Sequence, residues 1–201
     1  MTHDKRIALV TGANQGVGLQ VAKELVANAV TVFVGSRDLK RGEEAAREIG
    51  AGAIPIQLDV TNIDSIANAA KRIGDEFGRL DLLVNNAAIS NTRKGNLSLE
   101  EYVKVSKASN VSLDEVRTVW ETNVFGVLAV YQAMLPLLRL SSDARIVNVS
   151  SGAGSLTANA DPSFPHHAYF GPVYPASKAA LNAITLAMMI ELEETGIKVN
   201  L

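Results

Sequence analysis

Short runs of apolar residues alternate along the chain with segments whose apolar positions recur at a helical period. The apolar runs are nearly uninterrupted, which is typical of strands covered on both faces. They lie at 7–10, 30–35, 53–60, 80–86, 144–150 and 197–201, and the helical segments between them at 17–26, 39–49, 62–77, 112–139 and 174–195. This order predicts an α/β fold with a three-layer, doubly wound parallel sheet of six strands, built as a single domain over residues 1–201.

The two last helical segments, 112–139 and 174–195, are apolar nearly all round. The first of them opens with Ser112-x-x-Glu115, which predicts a capping box at its start. Because a sheet covers only one face of a helix, we expect the other faces to meet a second copy of the chain in a homodimer or homotetramer. Cover by other segments of the same chain is the alternative.

Composition narrows the range of partners. The chain has 201 residues, of which 47% are apolar and 20% charged, and its net charge of −2 gives no reason to expect nucleic acid or a membrane as partner. The absence of cysteine excludes disulfides, a thiol nucleophile and cysteine-based zinc sites. His166 and His167 lack a third ligand at usable spacing, so no metal site is expected.

Two features bear on location. No signal-peptide pattern is evident at the N-terminus, so a cytoplasmic location is expected. The longest uncharged stretch, 122–138, contains Asn123, Gln132 and Pro136, and it indicates a buried helix more than a membrane span.

A glycine-rich turn lies directly between the first strand and the first helix. Gly12, Gly16 and Gly18 there let the backbone approach a pyrophosphate, which would bind the free N–H groups at the helix start. No Gly-Lys-Ser/Thr follows, so the turn is not a Walker A loop.

The end of the second strand should contact the ribose 2′ position of a dinucleotide. Ser36 holds the expected strand end and Arg37 follows, which favours the 2′-phosphate of NADP(H). Asp38 could bind the ribose of NAD instead if the strand runs further. Asp59 and Val60, at the end of the third strand, are candidates to flank the adenine.

Tyr174 and Lys178 stand four residues apart at the start of the last helix, and therefore on one helical face. A cation a few ångströms away favours the ionised form of a phenol, which would make Tyr174 a proton donor to a carbonyl oxygen. The alternative is a half-buried tyrosine beside a lysine whose stem packs and whose ammonium reaches water. The chain's other tyrosines have no lysine at this spacing.

With these motifs in this order, the chain resembles the short-chain dehydrogenase/reductase family over essentially its whole length. Thr11-Gly12-x-x-x-Gly16-x-Gly18 is similar to the family's cofactor loop, Asn85–Ala88 to its NNAG motif, and Tyr174-x-x-x-Lys178 to its catalytic pair. The resemblance implies a Rossmann fold, catalytic Asn123, Ser151, Tyr174 and Lys178, and a cofactor site formed by Gly12, Asn14, Gln15, Gly16, Val17, Gly18, Ser36, Arg37, Asp59, Val60, Asn86, Ala87, Tyr174 and Lys178. Ser150 is the alternative to its neighbour Ser151.

The resemblance implies hydride transfer between NADP(H), with NAD possible, and a carbonyl compound or secondary alcohol, with the chain acting as a carbonyl reductase. Ser151 would hydrogen-bond the carbonyl oxygen, Lys178 would also hold the nicotinamide ribose, and Asn123 would anchor a water that links Lys178 to solvent. A non-catalytic NAD(P)-binding sensor or scaffold of the same fold is the alternative. A nucleotide-sugar epimerase is disfavoured, because its loop has tighter glycine spacing.

The sequence departs from the family pattern in four places. Gln15 stands where NADP-preferring relatives often carry a basic residue, and Ala88 replaces a glycine. Residues 152–173 make the distance between Ser151 and Tyr174 longer than is common, and His166, His167, Tyr169 and Phe170 could form a substrate lip there or be ordinary loop residues. The chain stops at Leu201 within the sixth strand, from which we expect that further residues follow.

Overall fold

The computed structural model describes residues 5–92 and 98–201 and has a six-stranded parallel sheet at its centre. The strands are β1 (Ile7–Val10), β2 (Thr31–Ser36), β3 (Ala53–Gln57), β4 (Leu82–Asn85), β5 (Arg145–Asn148) and β6 (Lys198–Asn200). They lie in the order β3-β2-β1-β4-β5-β6, with every neighbouring pair parallel. The predicted doubly wound sheet is confirmed. Its order reverses between β1 and β4, where folds of this kind bind ligands.

Eight α-helices connect the strands within the described residues. They are α1 (Gly16–Ala27), α2 (Leu39–Ile49), α3 (Ile63–Phe77), α4 (Leu99–Val105), α5 (Leu113–Trp120), α6 (Gly126–Leu138), α7 (Leu156–Ala160) and α8 (Tyr174–Leu192). The short helices α4 and α7 were not expected from the sequence, because neither is long enough to show a helical period.

The helices form a layer on each face of the sheet. On one face α1 and α2 contribute Ala22, Ala45 and Ala46 to a core that includes alternate residues of β1 and β2. On the other face α3, α6 and α8 pack larger apolar side chains against the sheet, including Met134 and Met188. The small residues of the first layer let its helices lie close to the strands.

The predicted single helix over 112–139 is interrupted in the structure. Between α5 and α6, residues Glu121–Phe125 form a π-helical turn. The continuous segment Leu113–Leu138 is, among the described residues, the one stretch long and apolar enough to cross a membrane, and half of its most apolar window is buried in the protein. This segment packs against the hydrophobic core of the protein.

The predicted capping box at Ser112 is wrong. The Ser112 side chain makes no capping hydrogen bond, and Glu115 is buried and accepts hydrogen bonds from the backbone N–H of Thr92, at 2.8 Å, and from the Thr92 hydroxyl. The Glu115 carboxylate thus bonds to a distant loop in place of Ser112, because a buried carboxylate needs hydrogen-bond donors. A capping box does occur one helix earlier, between Ser98 and Glu101.

Asp81 joins neighbouring strands at the amino-terminal end of the sheet, opposite to the end where folds of this kind bind ligands. Its buried carboxylate accepts hydrogen bonds from the backbone N–H of Ile7 at 2.8 Å, the hydroxyl of Ser141 at 2.6 Å and Nε of Arg79 at 3.0 Å. Burial alone would raise the pKa of Asp81, but these hydrogen bonds outweigh it and hold the pKa below 3.8. One carboxylate therefore connects β1, β4 and the loop before β5.

We predict that Asp81→Asn lowers the free energy of unfolding by about 2 kcal/mol at neutral pH, because an amide leaves one of these donors facing another donor. A lowered folded-state pKa stabilises the protein above the unfolded value of 3.8 and loses that effect as pH falls through the folded value. The difference between wild type and variant in urea denaturation should therefore shrink below about pH 4. Asp75→Asn, at an exposed ion pair, is the matched control; an equal loss in both variants would contradict the assignment.

Candidate active site

A cleft of about 660 Å³ lies over the carboxyl ends of β1, β2, β3 and β4. Ten of the residues predicted to bind a cofactor line it: Gly12, Asn14, Gln15, Gly16, Ser36, Arg37, Asp59, Val60, Asn86 and Ala87. The four others do not: Val17 is exposed on α1, Gly18 is buried beneath the loop, Tyr174 lines a second cavity, and Lys178 is buried. The topology thus gathers residues from four separate strand ends into one cleft.

The glycine turn is built for close approach of the backbone. Gly12 has a φ of +63°, and a Cβ there would stand 2.9 Å from Cα of Ala87. A Cβ on Gly18 would stand 2.4 Å from Nδ2 of Asn86. The helix N-cap, Gln15, donates or accepts no side-chain capping bond, so the first N–H groups of α1 are left for a ligand of the cleft.

Thr11 and Asn86 join the turn to the end of β4. The hydroxyl of Thr11 accepts hydrogen bonds from the backbone N–H groups of Asn86 and Ala87, both at 3.0 Å. The Asn86 amide donates in return to the carbonyl oxygens of Thr11 and Gly12, at 3.0 and 3.1 Å. These four bonds fix the position of the glycine turn relative to the floor of the cleft.

The rim of the cleft beyond β2 carries two arginines and one aspartate, Asp38, whose carboxylate lies 3.9 Å from Nε of Arg41. β2 ends at Ser36, as the first of the two alternatives from the sequence expects, and Arg37 and Arg41 both line the cleft. The Asp38 carboxylate accepts from the backbone N–H of Arg41 at 3.3 Å and so caps α2. Arg41 was not identified from the sequence, although it stands four residues after Arg37 and one turn into the helix.

A second cavity of about 960 Å³ lies beyond the first, and Ser151 and Tyr174 both line it. Residues 86–89 line the cleft and residues 90 and 91 line this cavity, so one loop forms a wall of each. Ser150 is directed elsewhere, since its hydroxyl bonds to Oδ1 of Asn182. The structure therefore brings Ser151, not Ser150, to the same cavity as Tyr174.

Lys178 is almost fully buried, at 3% exposure, beneath Tyr174. Its ammonium lies 5.8 Å from the centre of the Tyr174 ring and donates to the carbonyl oxygen of Val149 at 2.7 Å. Burial lowers the pKa of Lys178 to about 8. Gly154 permits this packing, because a Cβ there would stand 2.8 Å from the carbonyl carbon of Lys178. The alternative expectation, that the stem of this lysine packs while its ammonium reaches water, is therefore wrong.

Asn123 lies in the π-helical turn and is fully buried. Its amide oxygen accepts from the N–H of Ile89 at 2.9 Å, and its two amide protons go to the Ile89 carbonyl at 2.8 Å and the Ser177 hydroxyl at 3.0 Å. Ser177, which was not identified from the sequence, donates in turn to the carbonyl of Tyr174 at 2.7 Å. Asn123 thus holds together the loop between the two cavities and the first turn of α8.

Of the four residues considered for a substrate lip, His166 and Tyr169 line the second cavity, whereas His167 and Phe170 do not. Across residues 5–92 and 98–201, no three histidine, aspartate or glutamate side chains cluster as metal ligands.

Comparison with known proteins shows the family and the fold. The family model described as short chain dehydrogenase matches residues 6–201. The chain is 35% identical to short-chain dehydrogenase anuI of Penicillium roqueforti over 97% of its own length and 76% of that protein. It is 35% identical to (-)-isopiperitenone reductase of Mentha piperita over 78% of its own length and 60% of that protein.

Among solved structures, a metagenomic short-chain oxidoreductase in complex with NADP superposes with a TM-score of 0.78, at 25% identity, over 98% of this chain and 81% of that one. The chain spans between 55% and 76% of the lengths of the first curated relatives it matches.

We predict that the buried ammonium makes stability depend on pH in the alkaline range. The folded pKa of about 8 lies below the unfolded value of 10.5, so between these values the unfolded chain binds a proton that the folded chain does not. The free energy of unfolding contributed by Lys178 should therefore rise with pH over this interval, by at most about 1.4 kcal/mol per pH unit.

Urea denaturation of wild type and Lys178→Met from pH 7 to 10, without cofactor, measures this contribution as the difference between the two slopes. Lys71→Met, at an exposed position, should leave the slope unchanged. Parallel curves for wild type and Lys178→Met would exclude a shifted lysine.

Proposed function

The chain belongs to the short-chain dehydrogenase/reductase family, and from this premise we propose that it transfers hydride between NADP(H) and a carbonyl compound or secondary alcohol, acting as a carbonyl reductase. The observation that carries the proposal is the Tyr174–Lys178 pair, with the phenol on a cavity wall and the buried ammonium 5.8 Å from its ring. We further propose that residues 1–201 form one domain that supplies both the cofactor cleft and the catalytic side chains.

The cleft fits a dinucleotide phosphate by its shape and charge. The glycine turn leaves room for a pyrophosphate against the start of α1, and Arg37 and Arg41 would hold a 2′-phosphate through charge-assisted hydrogen bonds. Asp38 also lines the cleft, but its carboxylate caps α2 and pairs with Arg41, so the choice of NADP(H) over NAD rests on the two arginines. Asp59 and Val60 would border the adenine. When bound, the reduced nicotinamide supplies the hydride that adds to the carbonyl carbon.

The protein's own residues would manage the proton. Tyr174 would donate its phenolic proton to the carbonyl oxygen as negative charge develops there, and the Ser151 hydroxyl would hydrogen-bond the same oxygen. The Lys178 ammonium would stabilise the resulting phenolate and hold the nicotinamide ribose.

For Asn123 we propose a positioning role, because both protons of its amide are already used on Ile89 and Ser177. The expected relay water would need a further ligand beyond this amide, and its existence remains a prediction.

We predict that Tyr174→Phe lowers kcat by about 10²–10⁴, because the general acid is lost, while NADPH still binds. Steady-state NADPH consumption with a panel of aldehydes and ketones, together with NADPH titration, measures both quantities. Tyr131→Phe is the matched control, since Tyr131 is buried and bonds to Glu191. Unchanged turnover in Tyr174→Phe would remove Tyr174 from the mechanism. Tight NADPH binding by wild type without turnover on any substrate would support the non-catalytic sensor.

We predict that Arg37→Ala raises the Kd for NADPH about 10- to 100-fold and leaves the Kd for NADH within about twofold, because only NADPH carries the 2′-phosphate. Titration of each nucleotide by fluorescence or calorimetry separates the two effects. Arg47→Ala, at an exposed position in the last turn of α2, should change neither. An equal loss for both nucleotides would contradict a 2′-phosphate site at Arg37.

We also propose that the protein forms a homodimer or homotetramer through the outer faces of the 112–139 and 174–195 segments. Leu186 and Ile190, one turn apart on α8, are 55% and 65% exposed, and Phe125 is 53% exposed. Ile190→Glu should shift the full-length protein to a smaller species in analytical ultracentrifugation. A wild-type monomer at micromolar concentration would overturn this proposal. A cytoplasmic location, with a small-molecule substrate and no nucleic-acid or membrane partner, is likewise proposed from the composition.

A further inference from the structure

The second cavity is built from two segments of different character. The loop after β4 and the helix α4 contribute polar groups and Tyr102, and the segment 151–175 supplies most of the rest. At about 960 Å³, the cavity is at the upper end of the range of small-molecule sites, roughly 300–1,000 Å³. A ketone of four or five carbons would fill only a small part of it.

Three rings from the long segment before α8 form a continuous surface in this cavity, which we call the aromatic wall (Phe164, His166 and Tyr169). The rings of Phe164 and His166 meet edge to face, with centroids 5.6 Å apart, and those of His166 and Tyr169 are 6.1 Å apart. Tyr169 is 44% exposed. An exposed aromatic surface that faces a cavity gains most when an apolar ligand covers it.

The aromatic wall is held in place by its backbone. The N–H of His167 bonds to the carbonyl of Phe164 at 2.9 Å, and that of Tyr169 to the carbonyl of His166 at 2.9 Å. Nδ1 of His167 bonds to the carbonyl of Asn159, and the buried Asn159 amide donates to the carbonyls of Ala153 and Ser155. The rings therefore sit on a fixed support that begins two residues after Ser151.

The second cavity also differs from the first in charge. The described residues that line it include one histidine, His166, but no aspartate, glutamate, lysine or arginine, whereas the cleft is lined by Arg37, Arg41 and Arg117 together with Asp38, Asp59 and Glu121. Among these described residues a charged substrate would find no carboxylate, ammonium or guanidinium to offset its lost hydration, which is costly. A neutral substrate pays no such penalty.

We propose that the second cavity takes neutral carbonyl compounds that carry a rigid ring system, and that Phe164 and Tyr169 determine this specificity by packing against the rings. The proposal rests on the proposed carbonyl reductase function. The reacting carbonyl would face Ser151 and Tyr174, while the rings cover the aromatic wall of the same cavity.

The first test compares substrates with the full-length protein and NADPH. The expected kcat/KM for 2-tetralone, a neutral fused-ring ketone, exceeds that for butan-2-one about 100-fold, because the additional apolar surface is buried. The kcat/KM for methyl levulinate, a neutral ester, should exceed that for levulinate, the carboxylate of the same keto acid, by at least about 10-fold, because only the carboxylate carries a charge into the cavity. Near-equal values for 2-tetralone and butan-2-one, or a preference for levulinate, would overturn the proposal.

The second test assigns the preference to the aromatic wall. Phe164→Leu and Tyr169→Leu should each lower kcat/KM for 2-tetralone about 5- to 10-fold, mainly through KM, and leave butan-2-one unchanged. Phe170→Leu is the matched control, since it lies in the same segment but does not line the cavity, and it should stay within about twofold. Equal losses in Phe170→Leu and Tyr169→Leu would indicate a general disturbance of the segment and contradict the proposal.

A binding measurement tests the aromatic wall independently of the proposed reductase function. Equilibrium dialysis of 2-tetralone with the NADPH-bound Tyr174→Phe protein reports on the cavity without turnover. Binding that weakens about 5- to 10-fold on adding Tyr169→Leu supports the aromatic wall even if no carbonyl is reduced. Binding that is absent, or unchanged by Tyr169→Leu, overturns the wall even if the wild-type protein proves to be a reductase.

Discussion

The buried ammonium of Lys178 is the constraint on which the geometry of the site depends. An ammonium out of water needs hydrogen-bond partners at short range, and here the carbonyl of Val149 at the end of β5 provides one. The bond requires α8 to begin directly against the segment after β5, which is possible because Gly154 has no side chain. Burial disfavours the charged form and therefore lowers the pKa of Lys178. The same packing fixes the ammonium beside Tyr174.

Asn123 fixes the position of the loop that separates the two cavities. The loop after β4 passes from the cleft to the second cavity at Ile89, and an unpaired peptide group at that point would be free to shift. The Asn123 amide satisfies both polar groups of Ile89 and also binds Ser177. Asn123 lies in a π-helical turn, which breaks the regular α-helical period at this point. Such turns are frequent at functional sites.

Prediction from the sequence succeeded where the cause was local. The strands of the sheet are continuous apolar runs, and the order of strands and helices allows few topologies. The glycine turn and the Tyr174–Lys178 spacing fix which groups share a turn or a helical face. Prediction failed where a distant partner decided the outcome, as when Glu115 bonded to Thr92 in place of Ser112. Helices of five or seven residues, such as α7 and α4, carry too short a pattern to detect.

The sequence by itself determined the family, the doubly wound sheet, the glycine turn and the one tyrosine with a lysine on its helical face, because these follow from spacing along the chain. Only the tertiary structure decided which of Ser150 and Ser151 meets Tyr174, that Arg41 joins Arg37 at the cleft, and that three rings of the long segment face a cavity whose described lining includes no aspartate, glutamate, lysine or arginine. Those facts depend on contacts between residues far apart in sequence, and spacing along the chain does not reveal how close such residues lie in space.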